Sequence, residues 1–283
     1  MFTFLPITLL LYYVSPRVLK NSILLLASLI FYAWGEPIYV FLMIGTILID
    51  YLLAILIDRN RDDYSKCKWI FILTIILNVS ILGFFKYFGF FVNNINSIFN
   101  LNIPFEGLAL PIGISFYTFQ VLSYIVDVYL GKVEVQYNLI NFATYVTMFP
   151  QLVAGPIVQY QTIEEQLNTR QESVFKFGEG VERFIQGLGK KILLANNIGM
   201  LWTTISSLEL SSISVLTAWL GIIAYTFQIY FDFSAYSDMA IGLGKMFGFE
   251  FMENFNYPYI SKSVTEFWRR WHISLGTWFR EYI

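Results

Sequence analysis

The chain has 283 residues, 57% of them hydrophobic and 13% charged, against roughly 25% charged in a soluble globular protein, so water cannot solvate its surface and lipid must cover much of it. The formal net charge of −2 leaves no basic excess to attract nucleic acid. A single cysteine, Cys67, excludes an internal disulfide and a cysteine-built zinc site, and no metal centre is expected.

The N-terminal MFTFLPITLLLYYVSP is apolar from its second residue. It has neither a positive leading region nor a small-residue cleavage site, so it reads as a retained membrane helix and not as a signal peptide. A spanning helix needs ~20 mostly apolar residues. Candidates follow at 2–14, 22–35, 38–57, 69–91, 110–130, 138–158, 178–200, 213–232 and 235–249. The first two are short, and the last three carry polar residues and glycine. The expected fold class is all-α: a polytopic membrane helical bundle of about 8–9 embedded helices with an amphipathic surface segment, in one integral-membrane domain over 1–283.

Lysine and arginine set the orientation. Loop 15–21 holds Arg17 and Lys20, and turn 35–37 holds neither residue type. Loop 58–68 holds Arg59, Arg61, Lys66 and Lys68, the polar stretch 92–109 has none, and loop 131–137 holds Lys132. This alternation places the odd-numbered loops in the cytoplasm and the N-terminus outside. Segment 159–191 intersperses acidic and basic residues with Phe175, Phe177, Val181, Phe184, Ile185 and Leu188, a pattern suited to lying along a membrane surface.

Some motifs fail. GLGK occurs at 187–190 and 242–245, but a phosphate-cradling loop needs G-x-x-x-x-G-K-[ST]. Phe184 and Met239 stand where the leading glycine belongs, and Lys191 and Met246 replace the Ser or Thr. These glycines are expected to let helices approach closely. Asp50, Asp127, Asp232 and Asp238 lie in apolar surroundings, where a carboxylate must face protein or a water cavity. Asp50 and Asp127 read as structural. Tyr225, Gln228 and Asp232 share a helix face, and Ser234 and Asp238 are an i, i+4 pair, giving a polar seam that either joins helices or lines a passage. In TMFPQLVAGPIVQY (147–160), Pro150, Gly155 and Pro156 interrupt an apolar run, as a re-entrant bend or a kinked helix would.

The chain closes on FWRRWHISLGTWFREYI (267–283), which contains its only histidine. A single helix over 265–280 would put Thr265, Trp268, Arg269, His272, Leu275 and Phe279 on one face. An imidazole there suits proton transfer near neutral pH, with Arg269 disfavouring its protonated form. Structural or headgroup-contacting histidine is the plainer alternative.

LPIGISFYTFQVLSYIVDVYLGKV (110–133), MFPQLVAGPIVQY (148–160) and the block from Gln228 to Ile283 together resemble the membrane-bound O-acyltransferase family, most closely its alginate O-acetylation-like branch. The teichoic acid D-alanylation branch ranks second. The resemblance implies a many-helix fold around a central cavity. It implies transfer of an acyl group, acetyl in the alginate-like branch, from a cytoplasmic thioester such as acetyl-CoA or a carrier-bound acyl, with no bound cofactor. The acceptor would be a hydroxyl of an extracytoplasmic polysaccharide or partner protein, and the location a bacterial plasma membrane. It implies that His272 is catalytic and that Arg269, Arg270, Trp268, Asp232 and Asp238 contribute to donor or substrate binding. Family members carry a second histidine in a later apolar helix, usually regarded as the principal catalytic one, which this sequence lacks, so the chain is expected to be C-terminally incomplete. A transporter for a lipid-linked sugar and a non-enzymatic scaffold for polysaccharide export are the alternatives from other classes.

Overall fold

The computed structural model describes residues 3–104, 109–153, 155–209 and 213–283. Phe2 and Ala154 of the expected spans, and 105–108 of the polar stretch, lie outside the described residues. Every regular element among the described residues is helical. Two compact units are distinguished, with residues 1–153 and 159–167 forming most of the first and residues 168–281, with 155–158, forming most of the second.

The first unit contains α1 (Phe4–Val14), α2 (Lys20–Gly35), α3 (Tyr39–Arg59), α4 (Tyr64–Phe99), α5 (Ile114–Leu130), α6 (Leu139–Thr147) and most of α7 (Tyr160–Thr169). Helix α2 packs on α1 and α6, while α3 packs on α4 and α5. Asp50 of α3 is fully buried and accepts a 2.7 Å hydrogen bond from Asn78 of α4. Asp127 of α5 is equally buried, with the Lys132 ammonium 3.6 Å away. Both acids join elements, as a structural reading requires. Loops that the charge alternation assigns to one side meet. Arg61 donates to the Val128 carbonyl at 2.7 Å and Tyr137 to Asp58 at 2.7 Å, which brings loops 58–68 and 131–137 together. On the uncharged side, Ile112 N–H donates to Glu36 at 3.2 Å.

The second unit contains α8 (Val174–Gly189), a π-helical segment (Lys190–Ala195), α9 (Asn196–Ser206), α10 (Val215–Met246), α11 (Val264–Arg270) and α12 (Ile273–Tyr282, to residue 281). Helix α10 starts where the Ser214 hydroxyl accepts from Thr217 N–H. It packs on α8, the π segment and α9. The α8–α10 crossing is close because it is made of small residues. A Cβ on Gly180 would sit 2.6 Å from the Gly242 carbonyl oxygen, and one on Gly187 would sit 2.7 Å from that of Ala235. Both GLGK sequences therefore contribute glycines to helix packing.

Among the described residues, four helices are long and apolar enough to cross a membrane: Arg17–Gly35, α3, α4 and α10. Helices α1 and α5 are apolar but shorter. Large apolar side chains face outward along them, including Trp34, Phe41 and Leu216 at 91%, 74% and 81% exposure. Such a surface is stable only in hydrocarbon, and the chain is a membrane protein.

Four expected spans have other limits. The segments 213–232 and 235–249 are one helix of 32 residues, about 48 Å long at 1.5 Å per residue. Asp232 and Ser234 lower the local hydropathy without breaking a helix. In 138–158 only α6 is helical among the described residues, and the backbone is irregular over 148–153 and 155–159. This replaces the kinked-helix alternative. Described residues 148–152 and 155–159 are buried, the condition under which irregular backbone is tolerated in an apolar setting. The 178–200 span is divided by the π segment.

Candidate functional site

The site is built from α11, α12 and the irregular segment that precedes them. The Ser263 hydroxyl caps α11 by accepting from Glu266 N–H at 3.1 Å. The Glu266 carboxylate accepts from Lys262 N–H at 2.9 Å and from Arg270 at 3.0 Å. Tyr257 takes a left-handed conformation ahead of Pro258, turning the chain back. Residues 254–256 then run beside 270–273, with Asn256 N–H donating to the Arg270 carbonyl and Ile273 N–H to that of Asn254, each at 2.9 Å.

The single helix expected over 265–280 does not form. Helix α11 ends at Arg270, and His272 adopts φ +44°, ψ +56°, before α12 begins. The two bonds to 254–256 hold this break. A left-handed non-glycine residue costs on the order of 1–3 kcal/mol and persists where its surroundings fix it. The break aims His272 inward while Trp268 and Arg269 stay exposed.

His272 is 8% exposed. Phe233 of α10 stands edge-on to its ring at 4.6 Å, and Phe255 lies nearly parallel at 6.4 Å. Its Nδ1 is 3.1 Å from Asn254 Oδ1. The same oxygen accepts from Ser274 N–H at 3.1 Å and from the Ser274 hydroxyl at 2.9 Å. The Ser274 hydroxyl in turn accepts from Ile157 N–H at 3.0 Å, so the irregular 155–158 segment is tied to the site. Asn254 is fully buried, and its Nδ2 has no hydrogen-bond partner among the described residues. Burial lowers the imidazole from its usual range to about 4. Burial is the cause, and not Arg269 as the sequence suggests. The imidazole is therefore neutral at physiological pH.

The other residues read from sequence are placed differently. The Arg270 side chain is spent on Glu266 and, at 3.2 Å, on the Asn256 carbonyl. Asp238 is buried and pairs with Arg183, at 2.6 Å, and with Lys190. Asp232 pairs with Lys191. Arg183 also reaches Glu253 at 2.6 Å, next to Asn254 in the chain. The polar seam of α10 thus joins it to α8 and the π segment, whose wider turn presents the adjacent Lys190 and Lys191 to acids six residues apart. Asn254 and Ser274 were not read from sequence. The signal was a histidine followed two residues later by serine, and an Asn- and Pro-bearing stretch, ENFNYPY, between two helices.

An open polar depression in the first unit, lined by Asp58, Arg61, Lys132, Glu134, Tyr137 and Glu164, is a weaker candidate. Its cations are already engaged, Arg61 by Asp58 and Lys132 by Asp127.

A membrane protein that keeps one neutral, hydrogen-bonded imidazole away from water has the makings of an acid–base site for chemistry at a lipid boundary. The membrane-bound O-acyltransferase family model matches residues 132–283, which include this whole site, and the chain belongs to that family. The chain is 47% identical over its full length to a probable alginate O-acetylase of Pseudomonas aeruginosa, covering 55% of that protein. It is 35% identical, again over its full length, to a peptidoglycan O-acetyltransferase of Helicobacter pylori, covering 59% of it. Over 64% of the chain it is 31% identical to a teichoic acid D-alanyltransferase of Bacillus subtilis, covering 46% of that protein. The chain thus spans about half the length of these relatives.

Proposed function

We propose that the chain carries the histidine centre of an O-acyltransferase that moves an acetyl group from a cytoplasmic thioester to a hydroxyl of an extracytoplasmic polysaccharide or a partner protein. The setting is a multi-pass protein of a bacterial plasma membrane. The observation that carries this reading is the buried neutral His272, held by Asn254 and Ser274, inside the family-matched region. In the reaction the acceptor oxygen attacks the thioester carbonyl, the C–S bond breaks, and the hydroxyl proton passes to the leaving thiolate. His272 takes part in that proton transfer, either through a ring lone pair as base or through a ring N–H that polarises the carbonyl.

Exposed Arg269 is the better placed of the two arginines to meet donor phosphates or lipid headgroups, since Arg270 is engaged by Glu266. Trp268 lies beside it as an interfacial ring. Asp238 contributes by fixing α10 against α8 and the π segment, and Asp232 by fixing it against the π segment. Acetyl is favoured over D-alanyl transfer by the 47% identity to an alginate O-acetylase relative against 31% to a D-alanyltransferase.

The test is transfer of radiolabelled acetyl in membranes expressing this chain together with the carboxy-terminal remainder of a full-length relative. His272→Ala is expected to abolish transfer while leaving the amount of protein in the membrane unchanged. Full product from that variant would overturn the role of His272. Export of polysaccharide that ignores the substitution would favour a transport or scaffold component.

A further inference from the structure

We infer that Asn254 is the positioning residue that fixes the tautomer of His272, placing the proton on Nδ1 and leaving Nε2 as the basic nitrogen. The inference rests on the reading of His272 as the reaction centre and decides between its two possible roles. It makes the imidazole a base toward the acceptor hydroxyl, and not a ring N–H donor through Nε2 to the thioester carbonyl.

Donors and acceptors around Nδ1 decide the tautomer. The Ser274 backbone N–H can only donate, and it lies 3.1 Å from one end of the Asn254 amide. That end is therefore the carbonyl oxygen, since an NH2 there would set two donors against each other. The Ser274 hydroxyl accepts from Ile157 N–H and gives its one proton to the same oxygen at 2.9 Å. Nδ1 of His272 thus faces two oxygens that present lone pairs: Asn254 Oδ1 at 3.1 Å and Ser274 Oγ at 3.5 Å. A bare Nδ1 would set lone pair against lone pair in a site that water does not screen, so Nδ1 carries the hydrogen. A neutral imidazole has one N–H, and Nε2 is then the lone-pair nitrogen. The partner is an amide and not a carboxylate, so it orients the ring without holding a positive charge on it. That agrees with an imidazole that burial keeps neutral.

The chain has one histidine, which makes the test direct. Protein labelled with 15N-histidine, held in lipid nanodiscs, gives one pair of ring-nitrogen resonances whose shifts report the tautomer. The wild type is expected to show a protonated Nδ1 and an unprotonated Nε2 at neutral pH. A protonated Nε2 in the wild type overturns the inference without the need for any variant. Asn254→Ala is expected to move the proton to Nε2 or to mix the tautomers, and an unchanged spectrum would overturn the assignment to Asn254. Asn254→Asp replaces the amide with an acid of the same shape. Its carboxylate should keep the Nδ1–H tautomer and raise the histidine pKa by roughly 1–3 units, the usual effect of an adjacent opposite charge. A structural residue alone would not move that titration in this direction. In the acetyl-transfer assay, Asn254→Ala should lose kcat by roughly 10²–10⁴-fold, the scale of general-base catalysis, with KM little changed. The tautomer is read without any turnover, so it can hold even if the acyl-transfer reading fails.

Discussion

Helix α10 has two polar neighbourhoods built on opposite terms. On the side toward α8 and the π segment, Asp232 and Asp238 meet Lys191, Lys190 and Arg183. Each charge there has an opposite charge in contact. Toward α12, Phe233 touches the ring of His272, which sits among aromatic rings and neutral polar groups, and Asn254 there keeps a buried NH2 without a partner among the described residues. Buried donors and acceptors are almost always satisfied, and each exception calls for an explanation. The charged side spends its polar groups on holding helices together. The neutral side leaves them unspent, as a site that accepts a polar substrate group would.

Acid separates the two sides most strongly. The His272 imidazole is lowered to about 4 in the folded chain, from about 6.5 when exposed. The unfolded chain therefore binds a proton that the folded chain does not between those values. Stability from this group is fully present above about 6.5 and is lost as pH falls, and the loss amounts to about 3 kcal/mol once pH is below about 4. If the neutral ring is the active form, acetyl transfer should hold its rate down to about pH 5 and then fall about tenfold per unit below 4. An acid limb near 6.5 would show that the ring is open to water. The ion pairs of the other side should not contribute to the limb near pH 4 in rate, since they do not touch the ring.

Asp238→Ala should come next. It removes the acid that Lys190 pairs with and leaves Arg183 to Glu253 alone, each cation about one-third exposed. A loss of about 3 kcal/mol is expected, the low end for removing one partner of a buried pair because the cations can still reach solvent. Thermal unfolding in detergent measures it, and His272 should keep its tautomer. Gly180→Ala should cost about 2 kcal/mol by the same measurement. The added methyl would meet the Gly242 carbonyl at 2.6 Å, which is backbone and cannot swing aside. An unchanged stability would mean that α8 and α10 separate easily.

Hydropathy and charge made the membrane class, most helices and the closing histidine legible. Helix limits failed where polarity and helix breaking were confused. Asp232 and Ser234 make a hydropathy dip, yet α10 passes through it because its acids meet lysines 41 and 48 residues away in the chain. Nothing local in sequence reveals such partners. The break at His272 was invisible for another reason. Periodicity assumes an unbroken helix, and no glycine or proline marks the left-handed turn there. The bonds that hold it come from Asn254 and Asn256, in a stretch with no period at all. Gly187 and Gly242, one from each GLGK sequence, serve the close helix approach that the failed phosphate motif left as their remaining use, whereas Gly189 faces open space.

The smallest effect tests whether the two acids of α10 are equivalent, as their shared seam in the sequence suggests. Asp232 is 45% exposed and its partner Lys191 39%, whereas Asp238 is 7% exposed. An ion pair so open to solvent or headgroups contributes about 0–1 kcal/mol, since water already solvates both charges and salt screens them. Asp232→Asn keeps the shape and removes the charge, and should shift stability by less than about 1 kcal/mol, with the difference shrinking further in high salt. If Asp232→Asn costs as much as Asp238→Ala, the seam acts as one coupled network. If it leaves stability intact but slows acetyl transfer, Asp232 belongs with His272 on the neutral side, and the line between the two faces of α10 must be redrawn to include it there.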